Sequence, residues 1–158
     1  MPRALIPFAI CYDFDGTLAP GNMQEREFIP NIGMNKKSFW AEVKARAKEH
    51  EGDNILIYMG LMLEKARAAH VPVQKKNFIK YGKELQLFSG VTDWFPRTTE
   101  YGRVGGIRVT HHIISSGIRE MIMGTPIKRY FENIYASSFC YDRRLRLITL
   151  QKLSTYFG

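Results

Sequence analysis

Residues 5–12 read Leu-Ile-Pro-Phe-Ala-Ile-Cys-Tyr and run directly into Asp13-Phe14-Asp15-Gly16-Thr17-Leu18. The apolar run is too short for a membrane span and predicts a buried strand that delivers both acids to its carboxyl end. Side chains alternate along a strand, so a spacing of two puts Asp13 and Asp15 on one face and Phe14 on the other. Gly16 lets the backbone turn sharply, and Thr17 offers a hydroxyl beside the carboxylates. In an open α/β sheet, ligands sit in the crevice outside the carboxyl ends of the strands, where this strand places its acids.

Paired carboxylates at such a position have a chemical use. One can attack phosphorus and form an aspartyl-phosphate, splitting a hard displacement into two easier ones, and Asp13 fits that role. The like charge beside it raises the pKa of the second acid, so Asp15 can give a proton to a leaving oxygen and later take one from water. Mg2+, held through one or two carboxylates and a substrate phosphate, would relieve the repulsion between the anions. An Asp-x-Asp-Gly can also be a solvated turn or part of a calcium loop. The preceding apolar strand and the lack of further acids at calcium-loop spacing argue against both.

Asp-Phe-Asp-Gly-Thr-Leu after an apolar strand resembles the first motif of the haloacid dehalogenase-like (HAD) superfamily of aspartyl-phosphate phosphohydrolases. A second stretch strengthens the likeness. Residues 107–118 read Ile-Arg-Val-Thr-His-His-Ile-Ile-Ser-Ser-Gly-Ile, a strand that runs into small hydroxyl residues and a glycine, with Ile118, Met121 and Ile122 then at helical spacing. By itself Ser-Ser-Gly is a helix cap, although backbone amides at a helix N-terminus beside serine hydroxyls also suit a phosphate oxygen. Paired with the acidic strand, it resembles the second motif of the same superfamily, in its phosphoserine phosphatase-like branch. The resemblance implies that Ser115 is the phosphate-binding hydroxyl with the amides of Ser116 and Gly117 nearby, or Ser116 if the register is off by one. It also implies that Asp13 gives the metal a carboxylate oxygen and Asp15 its backbone carbonyl.

Between these motifs the chain is helical. Phe39, Trp40, Val43 and Ala47 recur at helical spacing, with Gly52 placed to close that helix. Asp53 caps the next, which carries Ile55, Met59, Met62, Leu63 and Ala66 and ends before Pro72. A shorter helix is expected over 75–82. The aromatic and Met positions are assigned to packing between helices instead of a ligand wall. A helical block between two α/β stretches suggests an insertion, with residues 1–18 and 86–158 forming a Rossmann-like, mainly parallel core and 19–85 inserted. In the HAD-like family this is where a helical cap sits, excluding water and selecting substrates. Pro96 is expected to kink or shorten the helix around Val91 to Tyr101.

The 158 residues suit one domain or a compact core with an insertion, and 45% apolar content supports a proper core. The net charge of +8 is spread through helix-like segments and the tail, which reads as a solvated surface ahead of a nucleic-acid face. The expected partner is a small phosphorylated substrate, with no membrane. Cys11 and Cys140 read as buried free thiols of a reducing compartment, and the N-terminal run lacks a signal-peptide cleavage pattern, so a cytoplasmic protein is expected. Adjacent His111 and His112 point to opposite strand faces and cannot share one metal ion.

The likeness covers residues 1 to about 142. Asp142 reads as a turn residue before a hairpin. Beyond it, Arg143-Arg144-Leu145-Arg146 replaces the polar, glycine-containing turn of the family, and no acid pair follows an apolar strand. Neither Lys128 nor Lys152 has the context of the family's phosphoryl-neutralising lysine. The expectation is a chain truncated at its C-terminal side. It is read either as a Mg2+-dependent phosphomonoesterase or as a catalytically silent protein that keeps the fold and binds phosphate or a protein partner.

Overall fold

In a computed structural model of the chain, residues 4–142 are described in full and 147–151 through their backbone. The predicted N-terminal strand forms as β1 (Ile6–Tyr12), and the second motif lies on β2 (Ile107–Ile118). β3 (Phe131–Tyr141) and β4 (Leu147–Gln151) complete a sheet of order β1-β2-β3-β4. The first three strands are parallel, and β4 returns antiparallel to β3. Tyr12 pairs with Ile113, so the acids following β1 and the serines ending β2 emerge at neighbouring strand tips.

The helices are α1 (Phe28–Asn31), α2 (Lys36–Glu49), α3 (Asn54–Ala68), α4 (Lys75–Lys83), α5 (Val91–Val104) and α6 (Arg119–Gly124). The architecture is therefore α/β, as expected. Asn35 caps α2 by accepting from Ser38 N (2.9 Å), and Asp53 caps α3 by accepting from Ile55 N (3.0 Å) and Leu56 N (3.2 Å). The left-handed residue after α2 is Glu51 (φ 47°), one before the expected Gly52, whose amide instead closes the turn onto Ala47 O (2.9 Å). Arg46 with Glu64 (2.6 Å) and Lys65 with Glu42 (3.0 Å) tie α2 to α3 across their solvent side. Such exposed pairs contribute about 1 kcal/mol or less each, so the buried Phe39, Val43, Met59 and Met62 do more to hold the hairpin together. Leu18 O accepts from Phe88 N (3.0 Å), so the helical segment leaves and re-enters the sheet region at one point.

Two expectations are corrected. β1 is an edge strand, not a buried one: Ile6 is 65% and Phe8 56% exposed, because β1 pairs only with β2 among the described residues and α5 lies over β2. For the same reason Cys11 is exposed, while Cys140 is partly buried. Of the two effects expected of Pro96, shortening does not occur, because α5 runs for 14 residues around it. Burial of Phe95 at one side offsets the lost amide hydrogen bond. Among the described residues, no helix is long and apolar enough to cross a membrane.

The tightest packing is between α4 and α6. A Cβ on Gly82 would stand 1.9 Å from Met121 O, and one on Gly124 would stand 2.0 Å from Ile79 O. Both obstacles are backbone, so no side-chain rotation relieves them. Gly82→Ala gains up to about 1 kcal/mol in helix propensity, yet forcing the helices apart costs more. We expect a net loss of about 2 to 3 kcal/mol, seen as a fall of roughly 6 to 10 °C in Tm. An unchanged Tm would mean that the two helices do not meet this closely in solution.

Candidate active site

The acids sit on a loop built by its own backbone. Phe14 O accepts from Leu18 N (2.9 Å) and Ala19 N (3.2 Å), while Gly16 N donates to Ala19 O (2.7 Å). Gly16 has φ +76°, a conformation that a residue with a Cβ rarely adopts, and this fixes the turn directly after Asp15. Phe14 is fully buried and anchors the loop.

Asp13 is exposed, with Oδ1 accepting from Phe14 N (2.7 Å). Asp15 turns inward, and its Oδ1 accepts from Met23 N (3.0 Å). Burial pushes the Asp15 carboxyl up to about 7; the Met23 amide opposes the rise, and the charges of Asp13 and Glu25 add to it. Asp15 is therefore far easier to protonate near neutral pH than an ordinary carboxylate.

The end of β2 meets this acid. A Cβ on Gly117 would lie 3.2 Å from Asp15 Oδ2 and 2.3 Å from Met23 Cε, a close approach that only glycine permits without displacing its neighbours. Ser116 and Gly117 share with Asp15 an open cleft of about 410 Å3. Ser115 is buried at 3% exposure, and its Oγ accepts from Gly117 N (3.1 Å). Ser116 lines the cleft, while Ser115 engages the Gly117 amide from within the sheet. Thr17 is exposed at the loop tip and, like Asp13, does not line the cleft. The strand continues through Ile118 before α6 begins, so Ser116 and Gly117 belong to the strand end and not to a helix N-terminus.

The other side of the cleft comes from the helices. Trp40 and Val43 on α2 and Ile55 on α3 form an apolar wall, so part of the stripe assigned to helix packing also faces this space. Trp40 Nε1 donates to Glu25 (2.7 Å), which fixes the indole. Tyr58 on α3 is buried and donates from Oη to Ser116 O (2.8 Å), linking the helical segment directly to the second motif. Burial, and then the charge of Asp15, push its hydroxyl pKa well above the usual tyrosine range, so Tyr58 remains a donor. Among the described residues lining the cleft, Lys44 is the one cation. Sequence reasoning missed Gln24, Lys44, Asn54 and Tyr58 as cleft residues. Only the spacing of residues 40, 44, 55 and 58 on two amphipathic helices hinted at them.

His111 is buried in a network with Tyr12 Oη (2.9 Å) and Thr99 Oγ1 (3.0 Å), and burial lowers its pKa. His112, on the opposite strand face, meets Thr110 Oγ1 (2.9 Å) instead. Lys128 borders a different depression, beside Arg119 and Phe131. Lys152 and Arg143 to Arg146 lie outside the described residues.

Comparison with known proteins found no matching family model. An uncharacterised protein of Borreliella burgdorferi is 30% identical over 141 residues, covering 83% of this chain and 49% of that protein. A HAD family hydrolase of Salmonella enterica serovar Typhi superposes with TM-score 0.60 at 16% identity, over 96% of this chain and 46% of its own. A phosphoserine phosphohydrolase-like protein of Francisella tularensis gives TM-score 0.56 at 18% identity, covering 93% and 64%. A phospho-aspartyl intermediate analogue of phosphoserine phosphatase gives 0.62 at 12% identity, again covering 93% and 64%. The chain spans about half the length of the curated relative it matches. Its parallel strands, its order of helices and its superposition on these hydrolases together give the chain a HAD-like fold.

Proposed function

We propose that the chain is a HAD-like phosphohydrolase acting on a small phosphomonoester. The observation that carries this reading is the approach of Asp15 to Gly117, which brings an acid whose pKa burial raises and the end of the Ser-Ser-Gly segment into one cleft. In the proposed reaction Asp13, outside the cleft lining but near enough for its charge to raise the Asp15 carboxyl, attacks phosphorus through a carboxylate oxygen while the P–O bond to the leaving group breaks. Asp15 gives its proton to the departing oxygen. Water then attacks the aspartyl-phosphate, Asp15 takes the water's proton, and phosphate leaves with Asp13 restored. Ser116 would hold a phosphoryl oxygen through its hydroxyl. The helices α2 and α3 would act as the cap, covering the cleft with Trp40 and Val43.

Mg2+ asks for oxygen ligands, commonly one or two carboxylates, with water and phosphate oxygens completing an octahedron. Asp13 and Asp15 fit this donor set, with Asp13 contributing a carboxylate oxygen and Asp15 its backbone carbonyl. Among the described residues no group of three or more His, Cys, Asp or Glu could hold a metal, so water and phosphate oxygens would have to fill the remaining positions around Mg2+. Bound there, Mg2+ supplies charge compensation for the phosphoryl group.

A second reading, a protein that binds phosphate without turning it over, draws support from Lys44 being the one cation among the described residues at the cleft, because phosphoryl transfer depends on positioned positive charge. One assay separates the two. Given Mg2+ and an aryl phosphate near pH 7, the purified chain should show slow turnover that a chelator removes. Phosphate binding without turnover would favour the second reading, and neither binding nor turnover would reject both.

A further inference from the structure

β1 is uncovered in two directions. Among the described residues it pairs only with β2, so its outer edge carries main-chain groups that no strand meets. Hydrogen-bonding direction alternates along a strand, and Ile6 N donates to Gly106 O (3.0 Å), so the even-numbered residues serve β2. Ala9 and Cys11 therefore turn their N–H and C=O groups outward, and Pro7 its C=O. From Leu5 to Tyr12 the strand has no charged residue, and Pro7 alone discourages pairing along it.

The face of β1 on the α5 side is equally open. Ile6 (65% exposed) and Phe8 (56%) share the side of Val109, against which Gly102 of α5 packs. Centred over β2, α5 reaches β1 only at one end, where Trp94 Nε1 donates to Tyr12 Oη (2.9 Å). Tyr101, seven residues on along the same side of the helix, is 85% exposed, and Trp94 itself 48%. These four side chains present on the order of 600 Å2, the top of the range for a patch on a monomer and most of what one partner of a standard interface buries.

We propose that a second copy of the chain closes this edge, β1 pairing antiparallel with β1 about a two-fold axis at Ala9. Ala9 exchanges both hydrogen bonds with Ala9 of the second copy, and each Cys11 N–H meets the other copy's Pro7 C=O, so the proline does not block the pairing. The two β2 strands then stand about 14 Å apart, three strand spacings, which keeps the α5 helices above them further apart than the roughly 8–10 Å of direct helix packing. The two helices run in opposite directions, so Trp94 of one copy and Tyr101 of the other fill that gap over Ile6 and Phe8. An aromatic at each end of the patch makes it self-complementary, and its area meets what a stable dimer needs. Asp13 and Asp15 lie beyond the paired segment, so the proposal stands independently of the phosphohydrolase reading.

Sedimentation velocity of the full chain over a concentration series tests this. It should show a dimer with a dissociation constant in the micromolar range that tightens with added salt, because salt screens the repulsion between two chains of charge +8 and leaves an apolar interface intact. Phe8→Lys should weaken dimerisation at least about 100-fold. Ala9→Pro removes an amide that the β1–β2 ladder does not use and should weaken it about tenfold or more, with circular dichroism showing both variants folded. Ala9→Cys in a Cys11→Ser background should form a disulfide between copies on mild oxidation, because a hydrogen-bonded antiparallel pair sets its Cα atoms about 5.5 Å apart. A chain that stays monomeric at the highest concentration, the result expected if a strand of another protein takes this edge, overturns the proposal. So does a dimer that neither Phe8→Lys nor Ala9→Pro weakens, and a folded Ala9→Cys variant that forms no disulfide between copies overturns the pairing about Ala9.

Discussion

With Asp13 replaced by asparagine, Mg2+-dependent turnover of an aryl phosphate will fall at least about 1000-fold, with the fold intact. The amide is nearly isosteric, and its oxygen can still accept from Phe14 N, which the carboxylate now engages at 2.7 Å. Asp13 is exposed, so the loop loses little packing on substitution. What disappears is the anionic oxygen that the proposed reaction uses to bond phosphorus, together with the carboxylate proposed to hold Mg2+. A general electrostatic role would cost far less, because Asp15 would still leave a negative group at the strand tip. Turnover by the variant within a few-fold of the parent would remove Asp13 as nucleophile, and far-ultraviolet circular dichroism on both proteins separates chemistry from unfolding.

The sequence made the two strand ends legible because each carries a local pattern: an apolar run stopped by two acids, and another stopped by Ser-Ser-Gly. Helix caps such as Asp53 were legible for the same reason, since a cap is a contact between residues two or three apart. The choice between Ser115 and Ser116 was not legible. It depends on which residues of β2 face the cleft: Ser115 is buried on the side of His111 and Ile113, while Ser116 is exposed and lines the cleft. The exposure of β1 was hidden for a related reason, because an apolar strand reads alike whether or not its outer side is covered. The cleft residues Gln24, Lys44, Asn54 and Tyr58 are brought together by tertiary packing, with Tyr58 reaching a carbonyl 58 positions away. No spacing rule spans that distance.

In metal-free protein, Asp15→Asn should make the chain more stable at pH 8 and leave it nearly unchanged at pH 4. Burial lifts the Asp15 carboxyl from 3.8 to about 7, so between those values the folded state holds a proton that the unfolded chain has lost. Stability from this group is therefore fully present below about pH 4 and drains away as pH rises through 7. A rise of that size corresponds to about 4 kcal/mol at most, and partial exposure of the carboxyl reduces this to about 2 to 3 kcal/mol. Asparagine keeps the acceptor for Met23 N and never ionises, so its stability should be flat over the same interval. Urea unfolding at pH 4 and pH 8 with chelator present measures the difference. The same variant should lose about 100- to 10,000-fold in turnover, because the group that exchanges protons with the leaving oxygen and water is gone. A more stable and less active protein is the signature of an acid held in an unfavourable place for its chemistry. If parent and variant instead show the same pH dependence, Asp15 is an ordinary solvated carboxylate, and the proton-transfer role has no physical basis.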